Sequence, residues 1–366
     1  MKKTDRFRSV VIFGGAGFIG SNLAHKLLET TDAKVHIFDN LSRSGVGNNL
    51  RALQKAAGNS TRLQITIGDV RDAAMVERVV RPATEIYHLA AQVAVTTSVS
   101  DPRHDFEVNL LGTFNVLEAA RKHGRRPFLL FTSTNKVYGE MPGRRTVRQA
   151  TRCAYESIRG ISEAEPLDLH SPYGCSKGAA DQYVRDYARM YGIPAVVFRM
   201  SCIAGARQFG NEDQGWVAHF LYSALQETPL TIYGDGRQVR DVLCVDDLVR
   251  AFAAVRENLP VTAGQIYNVG GGPANTISLI ELMALIEDIT GARVEYDTAD
   301  RRPGDQLVYV TDCSKLRRDT GWEPRLGVRQ TVERIYEWWK RNRDLFEPAA
   351  QPQRTAAALQ ELPGAA

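Results

Sequence analysis

The chain has 366 residues, 43% of them hydrophobic and 24% charged, which suits one large globular domain or a domain with a smaller lobe. Its formal net charge of +4 is small and Lys and Arg form no long run, which argues against a nucleic-acid partner but allows a local phosphate pocket. The five cysteines form no Cys-x-x-Cys pair and the seven histidines no His-Glu-x-x-His, which argues against a disulfide framework and a metal site. No apolar run reaches membrane-spanning length and Met1–Arg8 is too charged for a signal peptide, so a cytoplasmic protein with no membrane partner is expected.

In chain order, Ser9–Phe13 is a short apolar run ending in glycines and predicts a buried strand. A helix is expected from about Phe18 to Leu28, then a strand Val35–Phe38 ending at Asp39. Leu63–Ile67 and Glu85–Leu89 predict two more strands, with amphipathic Asp72–Val80 between them. Phe106–Lys122 predicts a helix, Phe128–Thr132 a strand, Ser176–Tyr191 a helix and Ala195–Phe198 a strand. Strands alternating with helices imply an α/β fold built on a parallel, doubly wound sheet.

The remainder has a different texture. Ser201–Asp247 is rich in Gly, Gln and aromatic residues; Ser278–Thr290 predicts a helix ending at Gly291, and Leu326–Arg343 a last one. Residues 1–200 are therefore expected to form a cofactor-binding domain, to which 237–272 returns. Residues 201–236 and 273–345 would form a smaller mixed α/β substrate lobe, and 346–366 a disordered tail.

Two predicted helices carry more apolar surface than one sheet contact needs. Leu110, Phe114 and Leu117, with Val108 and Leu111 beside them, mark one; Tyr183, Tyr187 and Tyr191, next to Ala180 and Val184, mark the other. A deeply buried helix pair and a homodimer interface both fit these stripes.

Gly14-Gly15-Ala16-Gly17-Phe18-Ile19-Gly20 joins the first strand to the first helix. Glycines there permit a tight turn and close approach to a pyrophosphate, and the helix N-terminus offers free N–H groups, the Rossmann arrangement. A glycine loop alone is weak evidence. Asp39, with Asn40 beside it, strengthens it, because an acid at that spacing meets the adenosine ribose hydroxyls. Its charge would repel a 2′-phosphate and favours NAD over NADP; Arg43 is the contrary hint, read here as a solvated loop charge. Asp69-Val70 and Leu89-Ala90-Ala91-Gln92 follow the third and fourth strands, at the ends where such sheets bind ligands.

Tyr173 and Lys177 stand four apart at a helix start and project onto one face. A phenol near pKa 10 is a poor base at neutral pH, but a nearby ammonium and a cationic nicotinamide would lower that value. Tyr173 could then take a proton from a sugar hydroxyl. Thr132-Ser133-Thr134 closes the fifth strand at the same sheet edge and could hold the reacting oxygen.

With these motifs in order, the chain resembles the extended short-chain dehydrogenase/reductases, from about Phe7 to Trp339. The resemblance implies a catalytic triad of Thr134, Tyr173 and Lys177, with Asn109 supporting the lysine through water. It implies NAD contacts from Gly14, Gly17, Phe18, Ile19, Gly20, Asp39, Asn40, Asp69, Val70, Leu89–Gln92, Asn109, Thr132, Tyr173 and Lys177. Arg240 and Arg302 resemble the arginines that grip the substrate diphosphate, and Asp305 an acceptor from the nucleotide ribose.

Dehydratases of this family carry an acid just before Val-Tyr-Gly, where this chain has Asn135-Lys136-Val137-Tyr138-Gly139; elimination is therefore disfavoured. Ser133–Gly139, His170–Gln182 and Gln208–Val217 are similar to the CDP-paratose 2-epimerases. That similarity implies a sugar and nucleotide pocket with Thr134, Cys202, Gln208, Gln214, Trp216, Val217 and Tyr233. Met200, Ala204 and Ala206 depart from the subfamily beside the sugar pocket. The expected function is NAD-dependent epimerisation of a nucleotide-linked sugar, at carbon 2 of a CDP-hexose, in a homodimer or dimer of dimers. The alternatives are a UDP-sugar 4-epimerase, an epimerase of a specialised sugar pathway, or a non-catalytic NAD-binding scaffold.

Overall fold

The computed structural model describes residues 8–122, 124–301 and 306–346. Seven parallel strands form the main sheet, in the order Ile266–Val269, Ala195–Met200, Phe128–Thr134, Glu85–His88, Ser9–Phe13, Lys34–Asp39, Leu63–Ile67. The winding reverses between Ser9–Phe13 and Glu85–His88, and that crevice at the strands' carboxyl ends is where such sheets take ligands. Val10, Val11, Ile12 and Phe13 are fully buried because helices cover both faces, which makes the strand read as a continuous apolar run. Burying each large side chain of this kind stabilises the fold by roughly 1.5–3 kcal/mol.

The expected helix over Phe106–Lys122 is three segments. An α-helical turn spans Pro102–Phe106, a π-helical turn Glu107–Leu111, and an α-helix Gly112–Lys122. Pro102 at the first turn and Asp101, whose side chain accepts from His104 N at 3.0 Å, start it early. In the π turn Gly112 N bonds to Glu107 O, five residues back. Such turns gather at functional sites, and this one holds Asn109 at its centre. The helix expected from Ser176 begins at Ser171, so Tyr173 and Lys177 both lie within it. Ser171 takes the left-handed conformation, φ +65°, and its Oγ accepts from Gly174 N at 3.2 Å.

A second sheet sits beyond the sheet edge. Its central strand Val239–Cys244 pairs with Cys202–Ala204, Thr276–Ser278 and Val308–Tyr309. Around it an apolar core forms from the helices Trp216–Leu225, Leu279–Thr290 and Val328–Arg341, including Leu221, Leu282, Ile286, Val332 and Ile335. Ser278 caps the middle helix in a capping box with Glu281. The expected tail beyond Phe346 lies outside the described residues, as do Arg302 and Asp305.

The two apolar stripes divide between core and surface. Val108, Leu117, Ala180, Val184 and Tyr187 pack under the sheet. Phe114, Tyr183 and Tyr191 stay 38%, 45% and 44% exposed, with Phe114 meeting Tyr183 edge to face at 6.1 Å.

Candidate active site

The glycine loop has the close contacts that its sequence requires. A Cβ on Gly14, where φ is +75°, would lie 2.8 Å from Ala90 N, and one on Gly20 would lie 2.3 Å from Gly14 O. Any side chain there would push the loop off the sheet and the helix off the loop. Asp39 holds the loop from below: its carboxylate accepts from Ala16 N at 3.0 Å and Leu41 N at 2.9 Å. Burial raises the Asp39 pKa, partly offset by those N–H groups and by Arg43. Asn40 donates to Asp69, which also pairs with Arg71; the Arg71 hydrogen bond pulls the Asp69 pKa down to about 2. Val70 packs on Gly112, where a Cβ would lie 2.6 Å from Val70 Cγ2. These residues fit a dinucleotide: a side-chain-free cradle at a helix N-terminus, with an acid beside it.

A cleft of about 740 Å³ continues from this loop. Phe18, Ile19, Leu89, Ala91, Thr132, Thr134, Tyr173 and Lys177 line one part, and Cys202, Gln208, Gln214, Trp216, Tyr233 and Arg240 another. Val217 is the exception among the expected pocket residues. It is 2% exposed and packs into the apolar core around the second sheet, because successive helical residues point about 100° apart and Trp216 takes the cleft side.

The three residues expected to act together converge. Thr134 ends its strand and caps the short turn Asn135–Tyr138, accepting from Lys136 N at 3.2 Å. Tyr173 and Thr134 line the same cleft, and Thr134 draws the pKa of the Tyr173 phenol down. Lys177 Nζ donates to Thr132 O at 2.7 Å and lies 4.2 Å over the Phe131 ring.

The electrostatics differ from the sequence expectation. Burial lifts the Tyr173 phenol to about 12; Thr134 and Arg43 draw it down and Asp105 pushes it up. Burial lowers Lys177 itself to about 7, opposed by Asp105 and Asp181. Arg43 is exposed, yet it is more than a solvated charge, since it acts on both Asp39 and Tyr173.

Asn109 is buried and fully engaged. It accepts from Gln92 N at 2.9 Å, and its amide nitrogen faces Gln92 O, Asp105 Oδ1 and Ser176 Oγ at 3.0, 3.0 and 3.2 Å. Sequence reasoning missed Asp105, Ser176 and Gln306. Asp105 sits four residues before Asn109, a helical spacing that could have marked it. Gln306 has no such signal. It accepts from Asn135 at 2.9 Å through its side chain and from Arg240 Nη2 at 2.5 Å through its backbone carbonyl.

Residues 11–335 match the family model described as GDP-mannose 4,6 dehydratase. The chain belongs to this family, within the extended short-chain dehydrogenase/reductases. It is 40% identical to the CDP-paratose 2-epimerase of Salmonella typhi, over 90% of this chain and 98% of that protein. The solved UDP-glucose 4-epimerase of Thermus thermophilus, in complex with NAD, is 33% identical with a TM-score of 0.76, over 91% and 99% of the two chains. The UDP-glucuronic acid 4-epimerase of Bacillus cereus, with UDP-glucuronic acid and NAD, is 25% identical with a TM-score of 0.77 over the same shares. Other relatives of this family member are named as dTDP-glucose 4,6-dehydratases. Among the described residues no cluster of metal-binding side chains occurs, and no helix is long and apolar enough to cross a membrane.

Proposed function

We propose that this protein is an NAD-dependent epimerase of a nucleotide-linked sugar, acting at carbon 2 of a CDP-hexose. The observation that carries the reading is that Thr134, Tyr173 and Lys177 line one cleft that runs from the glycine loop to Arg240. The glycine loop, Asp39 and the Leu89–Gln92 segment would hold NAD. When bound, NAD supplies a reversible hydride acceptor for one sugar carbon. Tyr173 takes the proton from the hydroxyl on that carbon and later returns it to the oxygen. Thr134 holds that oxygen against the phenol. Lys177, with its burial-lowered pKa, tunes the phenol once the site is filled. Arg240, its guanidinium oriented by Val239 O and Gln306 O, would face the diphosphate and leave the sugar free to present either face.

The preference for carbon 2 and for CDP rests on the 40% identical relative and on Asn135-Lys136 before Val137-Tyr138-Gly139. Cytoplasmic location and a two-lobed division of the chain belong to the same proposal. So does pairing of two copies through the exposed Phe114–Tyr183–Tyr191 face. The test is turnover on a panel of CDP-, UDP-, GDP- and dTDP-sugars, with NMR identification of the inverted carbon. Inversion at carbon 2 of a CDP-hexose supports the reading. Inversion at carbon 4 of a UDP-sugar keeps the chemistry and replaces the substrate.

A further inference from the structure

Behind the tyrosine–lysine pair lies a carboxylate that the mechanism above leaves unused. Asp105 is 0% exposed, in the short helical turn Pro102–Phe106. Ser176 Oγ donates to its Oδ2 at 2.5 Å, and Asn109 Nδ2 donates to its Oδ1 at 3.0 Å. Ser176 lies immediately before Lys177, and its hydroxyl also lies 3.2 Å from Tyr173 O. One carboxylate thus touches, through two side chains, both the helix that carries Tyr173 and Lys177 and the Gln92 loop at the end of the fourth strand.

Asp105 has no cation of its own: among the described residues no Lys or Arg side chain forms an ion pair with it. Burying an unpaired carboxylate is costly, so its place needs a counter-charge nearby. Asp181, on the same helix as Lys177, is already neutralised by Arg199, with contacts of 2.7 and 3.1 Å. His88, on the fourth strand, is buried beside Lys177 and held neutral, its pKa lowered by burial to about 3. His104 neighbours Asp105, and Arg43 acts on Tyr173. That leaves Asp105 and Lys177 as a buried acid and a buried base that act on each other.

We propose that Asp105 is a positioning residue for the Tyr173–Lys177 pair, setting the first turns of their helix through Ser176 and Asn109 and standing as a buried negative charge behind Lys177. The proposal rests on the functional reading for the importance of Tyr173 and Lys177, but the hydrogen bonds and burial of Asp105 stand without it. Direction follows from charge. Removing the carboxylate lets Lys177 lose its proton at lower pH, and it also makes the Tyr173 phenolate easier to form.

The experiment is a ¹³Cε-lysine NMR titration of the NAD-loaded protein, with the Lys177 signal assigned by its loss in Lys177→Arg. Asp105→Asn, which keeps the shape, should move the Lys177 midpoint down, because removing a nearby opposite charge disfavours the charged form. Ser176→Ala removes a link but no charge and should leave the midpoint in place. An unchanged midpoint in a folded Asp105→Asn protein overturns the proposal. Should that variant not fold, ¹³C-carboxyl NMR of the wild-type holoenzyme decides: an ionised Asp105 at pH 7 supports the proposal, and a protonated one overturns it. Neither measurement needs a substrate. Turnover of CDP-paratose by Tyr173→Phe is the separate check, and full activity there defeats the base assignment without touching the Asp105 result.

Discussion

Asn135 Nδ2 donates to Gln306 Oε1 at 2.9 Å, while Gln306 Nε2 donates to Gly139 O at 2.6 Å. The amide is committed to a neutral scaffold between the strand end at Thr134 and the strand pair that carries Arg240. Neither it nor Lys136 can act as a carboxylic acid toward the sugar.

The first prediction concerns the hydrogen on carbon. Neither 135 nor 136 is a carboxylic acid, and the proposed route through Tyr173 moves protons on oxygen alone. A reaction run in heavy water should give an epimer with no deuterium on any ring carbon, as read by mass spectrometry and NMR. Deuterium at a ring carbon would show that carbon is protonated by solvent and end the proposed route.

Tyr173→Phe should cost turnover at least about a hundredfold, the usual scale for a general acid–base group. The protein should still carry NAD, because the ring and its packing remain. Denaturing the purified variant and identifying the released nucleotide checks the second point. NADP as the main species would contradict the role given to Asp39.

Arg240→Ala should weaken CDP and CDP-hexose binding alike, by about 1.5–3 kcal/mol, the range for hydrogen bonds to charged groups. Calorimetry with CDP measures it. Unchanged CDP affinity would remove Arg240 from the diphosphate.

Acid stability should depend on two buried histidines. Burial holds His88 near 3 and His25 near 4, both below the ordinary 6.5. Between those values the unfolded chain binds protons that the fold refuses, so stability is complete above about pH 6.5 and falls as pH drops toward 4. Each histidine can contribute a slope of up to about 1.4 kcal/mol per pH unit. His88 Nε2 lies 3.0 Å from Thr113 Oγ1, whose hydroxyl donates to Asn109 O. His88→Gln can keep that contact without titrating. Urea midpoints measured from pH 7 to 4.5 should fall less steeply for the variant; parallel curves would rule His88 out as a contributor.

Much of this protein is legible in its residues. Ser9–Phe13, Gly14–Gly20 and Asp39 are neighbours in sequence, and alternation of apolar runs with glycine turns and amphipathic helices determines a doubly wound sheet locally, element by element. Tyr173 and Lys177 are four apart, so one helical turn brings them to the same face. Thr134 follows because a strand's end is a fixed place in such a sheet.

What lies across long separations was decided by the tertiary structure. Asp105 and Ser176 are 71 residues apart, and Asn135 and Gln306 171 apart, and no periodicity predicts their contact. The π turn at Glu107–Leu111 also escaped the apolar pattern, because one extra residue in a turn rotates Asn109 toward Gln92 without changing which residues are apolar. Val217 is the same lesson in reverse: it shares a motif with Trp216, but one helical step turns it into the core. The order of residues determined which chemistry is present. Packing determined which charges are buried together, and the cost of burying them sets Tyr173 near 12 and Lys177 near 7.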